Sequence, residues 1–161
     1  MKKTITILLS LLAISATAAK TVYELDLNNQ QHSDLTIDKA IQLKVGDQLR
    51  IVVNENPTTG YVWIYPSSEN NSHKKGVHDP THFEVVSDKY KQDELPTGPN
   101  GESIQLAGIG GVRILTVEAK RVGVEHLELV HARPWEFSGF DESTRSTPQL
   151  GYHDIEIQII K

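Results

Sequence analysis

The last ten residues, "YHDIEIQIIK", set Ile155, Ile157 and Ile159 on one side of an extended chain and Asp154, Glu156 and Gln158 on the other. Successive side chains of a strand alternate faces, so this spacing predicts a strand with one face in a core and the other in water. On a helix the same isoleucines would scatter around the surface. Period two recurs in Val22 to Leu27, Ala40 to Val45, Gln48 to Asn54, Gly60 to Tyr65, Phe83 to Lys89, Val112 to Lys120 and Val124 to His131, while period 3.6 is almost absent. The pattern predicts an all-β fold of about seven or eight short strands. Lys44-Val45-Gly46-Asp47 and Lys120-Arg121-Val122-Gly123 read as hairpin turns that join their flanking strands as antiparallel neighbours. A sandwich is the expected closure, and a barrel would carry the same pattern.

The strands begin only after residue 20. Residues 1–19, "MKKTITILLSLLAISATAA", open with Lys2 and Lys3, run through apolar positions from Ile5 to Ile14, and end in the small-x-small form Ala16-Thr17-Ala18. This predicts a secretory signal peptide over 1–19, because the apolar run is well short of the roughly 20 residues that cross a bilayer. Residues 20–161 suffice for one domain with its own core. The expected destination is exported: secreted, periplasmic, or an endomembrane or lysosomal lumen, with no membrane contact after signal removal. Loss of Lys2 and Lys3 turns the formal charge of −5 into −7, 14 basic against 21 acidic residues. With no basic patch, nucleic acid is not an expected partner. Cysteine is absent, so stability has to come from burial and thiol chemistry is excluded.

Three connections stand out against this regular background. In Asn56-Pro57-Thr58-Thr59-Gly60 the proline fixes its own φ and pushes Asn56 from the helical region, the threonines are stiff at χ1, and Gly60 permits angles that other residues resist. Such a loop has little entropy left to lose on binding. Gly108-Ile109-Gly110-Gly111 bares the backbone just before a strand; a phosphate-binding glycine loop would precede a helix instead. Arg133-Pro134-Trp135 is a proline-stiffened corner at a strand end, and Arg and Trp are frequent interface anchors. Trp63, inside a strand, is the better core candidate, with Trp135 either a lid on the core or an anchor.

No catalytic constellation accompanies these loops. There is no Gly-x-Ser-x-Gly elbow and no singled-out carboxylate pair. His78 and His82 are spaced i, i+4, but Pro80 breaks the helix that would align them on a metal. His126 and His131 fall on opposite strand faces, and His32, His73 and His153 carry no pattern. No cofactor, metal or enzymatic activity is expected.

The order "NPTTGYVW", "GIGG", "RPWE", each at a strand end, resembles the three signature loops of the chagasin family, inhibitors of papain-like cysteine peptidases. The resemblance implies an immunoglobulin-like antiparallel β-sandwich whose loops line up at one end and enter the peptidase cleft together as a reversible, non-covalent, tight-binding block. It implies that Asn56, Pro57, Thr58, Thr59 and Gly60 form the central wedge. Gly108, Ile109, Gly110 and Gly111 would lie along the non-primed side, and Arg133, Pro134 and Trp135 on the primed side, the protein acting as a monomer. Three features depart from the pattern: Ile109 stands where a small residue is usual, Ser67 to Pro80 looks inserted, and the stretch after Trp135 is long, the last two expected on surface loops. The alternative is an exported immunoglobulin-like adhesion or carbohydrate-binding module.

Overall fold

A computed structural model describes residues 20–28, 34–36, 40–66, 80–95, 99–101, 108–147 and 151–161. The expected signal segment 1–19 and positions 67–79 of the expected insertion lie outside the described residues, as do His32, His73 and His78. Nine strands are described: β1 (Val22–Asp26), β2 (Asp34–Thr36), β3 (Ile41–Lys44), β4 (Gln48–Glu55), β5 (Val62–Ile64), β6 (Phe83–Gln92), β7 (Gly111–Ala119), β8 (Gly123–Ala132) and β9 (Gly151–Ile160). They form two sheets, one in the order β1-β4-β7-β6 and one in the order β2-β9-β8-β5 with β3 also on β9. The fold is a β-sandwich.

The core follows from the alternation. Ile155, Ile157 and Ile159 of β9, Leu49, Ile51 and Val53 of β4, and Leu115 and Val117 of β7 are each at most 3% exposed, and with Leu43, Leu127 and Leu129 they fill the space between the sheets. Burying a side chain of this size contributes about 1.5–3 kcal/mol relative to leaving it in water.

Two connections differ from expectation. Lys44 to Asp47 does not close a hairpin, since β3 pairs with β9 and β4 with β1 and β7. Lys120 to Gly123 likewise leads from β7 in one sheet to β8 in the other. The physical reason is visible at the first corner. Asp47 N–H donates to Lys44 O (2.9 Å) and Gly46 alone has positive φ, 95°. That places the left-handed residue third, as in a type II turn, whereas the primed turns that match hairpin twist need it second. The corner therefore carries the chain across the sandwich. Asp47, 6% exposed, holds it there by accepting Thr21 N–H and Lys44 N–H.

The sheets are mixed, because β1 runs parallel to β4 and both β2 and β3 run parallel to β9. β6 carries a bulge between Val85 and Ser87. Before it, Phe83 and Val85 face inward; after it the parity flips, so that Asp88 pairs with Leu115 and Tyr90 with Arg113. The segment after Trp135, expected on a surface loop, buries part of its described residues. Phe137 and Phe140, 6% and 1% exposed, meet edge to face and pack with Ile64, Val130 and Ala132 on the outer side of the second sheet. A short helix, α1 (Glu142–Arg145), follows, capped by Asp141, which accepts Thr144 N–H at 2.9 Å. Arg145 holds it to the sheet through a two-bond fork on buried Glu128 (2.5 and 2.9 Å).

Candidate functional site

Register decides where the three unusual loops go. Glu55 at the end of β4 pairs with Gly111 at the start of β7, and Val62 of β5 pairs with Ala132 at the end of β8. The loop from β4 to β5, the glycine segment entering β7 and the corner leaving β8 thus emerge at the same pole of the sandwich.

The first of them, expected to lead into a strand from Gly60, instead makes a single 3-10 turn over Pro57–Thr59, and β5 starts at Val62. Its shape comes from Asn56. The Asn56 Oδ1 accepts Thr58 N–H (3.3 Å) and the Thr58 hydroxyl (2.6 Å), as Asx turns do. Thr59 Oγ1 donates back to Asn56 O at 2.7 Å, and Gly60, at φ 79°, closes the turn by donating to Pro57 O. Every residue from Pro57 to Thr59 is exposed. The turn is held from inside and bare outside.

The same asparagine reaches the second loop, its Nδ2 donating to Gly108 O at 2.8 Å. Gly110 lies against Glu55 O and Asn56 Cβ, and Asp93 N–H donates to Gly110 O at 3.0 Å. Ile109 is half-buried beside them. Gly111 has no space for a side chain, since a Cβ there would sit 2.2 Å from Lys91 O.

The third loop closes on the first from the other side. After Arg133 the chain turns, with Glu136 and Phe137 N–H both donating to Arg133 O. The Arg133 guanidinium lies over the Tyr61 ring at 4.7 Å and donates to Glu136 at 3.1 Å. Trp135 is 71% exposed, so it is not a lid on the core. Its ring rests on Gly60, where an added Cβ would come within 2.7 Å of Cη2. Asn56, Gly60, Gly108, Gly110 and Trp135 therefore form one ridge.

Beneath the ridge lie residues that sequence reasoning passed over. Glu55, 4% exposed, accepts Trp63 N–H at 2.7 Å and Arg113 Nη1 at 3.1 Å. Arg113 also forks onto Asp88 (2.7 and 2.5 Å), which accepts the Tyr65 hydroxyl at 3.0 Å. Burial alone would lower the Arg113 pKa, but hydrogen bonds and charge from Asp88 and Glu55 outweigh it and leave the guanidinium above its ordinary value. Trp63, expected in the core, is partly buried against it and stacks with His131 (4.8 Å) and with His153 (5.1 Å). A signal for Glu55 and Arg113 existed: they continue the inward parity of Leu49, Ile51 and Val53 and of Leu115 and Val117. Asp88 had none, because the bulge placed it.

Residues 42–147 match the family model for the chagasin family of peptidase inhibitors, I42. No curated protein matches the chain. Among solved structures it is similar to the cysteine protease inhibitor EhICP2 from Entamoeba histolytica, with 17% identity, TM-score 0.49, and coverage of 89% of this chain and 99% of that one. Leishmania mexicana ICP shows 25% identity, TM-score 0.46, and coverage of 83% and 100%. PbICP-C, solved in complex with falcipain-2, shows 17% identity, TM-score 0.49, and coverage of 86% and 99%.

Proposed function

We propose that this chain, which belongs to the chagasin family of peptidase inhibitors, acts as a reversible, non-covalent, tight-binding inhibitor of papain-like cysteine peptidases through its three-loop ridge. The observation that carries this reading is the convergence of the loops: Asn56 bonds the first to the second and Trp135 rests on the first from the third. The 3-10 turn enters the cleft at the catalytic residues, led by Thr58, while Gly108 to Gly111 and Arg133 to Trp135 lie along its two sides. Since the turn is already shaped by Asn56 and Thr59, binding orders little that was free, and affinity is retained that a flexible loop would lose. A tightly turned segment also offers the enzyme no extended peptide to cleave, so the complex dissociates intact.

The test is a titration of residues 20–161 against papain with a fluorogenic substrate, using a serine peptidase as control. Near-stoichiometric, reversible loss of the cysteine peptidase activity alone is expected. Thr58→Arg and Trp135→Ala should each weaken inhibition about tenfold or more, the scale of an interface hot spot, with the fold intact. Unchanged inhibition in both variants would remove the ridge from the mechanism. The proposal includes export and removal of residues 1–19, which N-terminal sequencing of the mature protein would check.

A further inference from the structure

The ridge is built by loops from both sheets, and this raises a mechanical problem. The first loop leaves β4 in one sheet and enters β5 in the other, the second feeds β7 in the first sheet, and the third leaves β8 in the second. Their alignment depends on the spacing and slide of the two sheets at that pole. Through the middle of the sandwich the sheets meet through hydrocarbon side chains such as Ile51, Val117, Leu127 and Ile155, whose attraction is non-directional. At the far pole the carboxylates of Asp47 and Glu125 accept backbone N–H groups across the sandwich.

At the ridge pole charged side chains bond one another as well as the backbone, in a continuous network. Glu55 on β4 bonds Trp63 N–H on β5, so one carboxylate joins the strand before the first loop to the strand after it, across the sandwich. Arg113, two residues into β7 from the glycine segment, binds Glu55 with one nitrogen and forks onto Asp88 of β6 with two others. Asp88 returns to the second sheet through Tyr65, the residue following β5. The chain of bonds thus crosses between the sheets twice and includes the stems of two ridge loops. Apolar residues at 55 and 113 would hold the layers together without the desolvation that buried charges carry. What charged, forked bonds add is fixed distance and angle.

We propose that Glu55, Arg113, Asp88 and Tyr65 are positioning residues that lock the two sheets in the register at which the three inhibitory loops align. The inference rests on the inhibitor reading above. Its consequence is that loosening the network lowers the fraction of molecules with an aligned ridge, which slows association, because only that fraction is competent to bind.

The test measures the inhibition constant and association rate against papain for the wild-type protein and for Arg113→Lys, Glu55→Gln, their double variant and Tyr65→Phe. Ile159→Val, a core change near the opposite pole, serves as a stability control, and melting temperatures are recorded for all. Arg113→Lys keeps the charge but loses the fork, and Glu55→Gln keeps an acceptor for Trp63 but loses the charge. Each should raise the inhibition constant about tenfold, chiefly through slower association. The double variant should match either single within about threefold, not multiply them, because the two residues act as a unit. Tyr65→Phe, which removes only a hydroxyl and so preserves folding, should give a smaller rise of about threefold. Ile159→Val should lower the melting temperature and leave inhibition unchanged. The proposal is overturned if the network variants inhibit like wild type, or if inhibition in all variants, the control included, simply follows melting temperature. Failure of the wild-type protein to inhibit papain would instead remove the inhibitor reading and this inference with it.

Discussion

Replacing Gly60 by alanine perturbs the ridge where Trp135 of its third loop meets the first. Two costs follow from the geometry. Gly60 has φ 79°, and a left-handed backbone costs a non-glycine residue about 1–2 kcal/mol. Reduced freedom of the unfolded chain offsets about 0.4–1 kcal/mol of this, for a net loss of about 1 kcal/mol and a fall in melting temperature of about 3 °C in a domain of this size. The second cost falls on Trp135. The new methyl would lie 2.7 Å from Cη2, so the ring has to withdraw by about 0.7 Å to restore the 3.4 Å of ordinary contact. Because the side chain is 71% exposed, it can do so without unfolding anything. The affinity then carries the larger effect: displacing an aromatic anchor costs about 2 kcal/mol, or about thirtyfold in the inhibition constant against papain. The assay pairs that constant with a thermal melt. A fall of about 3 °C with wild-type inhibition would refute the reasoning, since the Gly60–Trp135 contact would then lie outside the binding edge.

The glycine segment separates two neighbours: Gly111→Ala should prevent or severely weaken folding because the methyl meets Lys91 O at 2.2 Å and Gln92 Cα at 2.8 Å, whereas Gly110→Ala meets nothing nearer than 3.6 Å and should melt close to wild type. At the opposite pole, Asp47→Ala leaves the buried corner without the acceptor for Thr21 and Lys44 N–H, and should cost about 1–3 kcal/mol in urea unfolding while inhibition stays intact. Burial lowers the His131 pKa from its usual 6.5 more than the Glu55 charge raises it. The folded state therefore binds that proton less readily than the unfolded one, and the contribution is complete above pH 6.5 and is lost as pH falls from there toward the folded pKa. His131→Gln should flatten the fall in stability between pH 7 and 5, which chemical denaturation at a series of pH values would detect.

Local alternation in the sequence determined most of the layer structure. Ile155, Ile157 and Ile159 could face one way only, and a period of two leaves an extended chain no other means of burying them. The identity of the three loops was also local, because proline, threonine and glycine act on their own backbone and on immediate neighbours. Tertiary structure decided what joins to what. The corners at Gly46 and Gly123 look like hairpin turns by composition, yet they cross between sheets, because β3 and β8 both pair with β9, the last strand of the chain, and not with the strands across those corners. The stretch after Trp135 contains too few apolar residues to announce itself, and Phe137 and Phe140 acquire a purpose only once Ile64 and Val130 lie beneath them. Asp88 shows the limit most clearly. Simple alternation from Phe83 points it toward solvent, and one extra residue in β6 turns it inward to Arg113. A bulge is settled by pairing with the neighbouring strand, so its consequence for charge placement exists only in the assembled sheet.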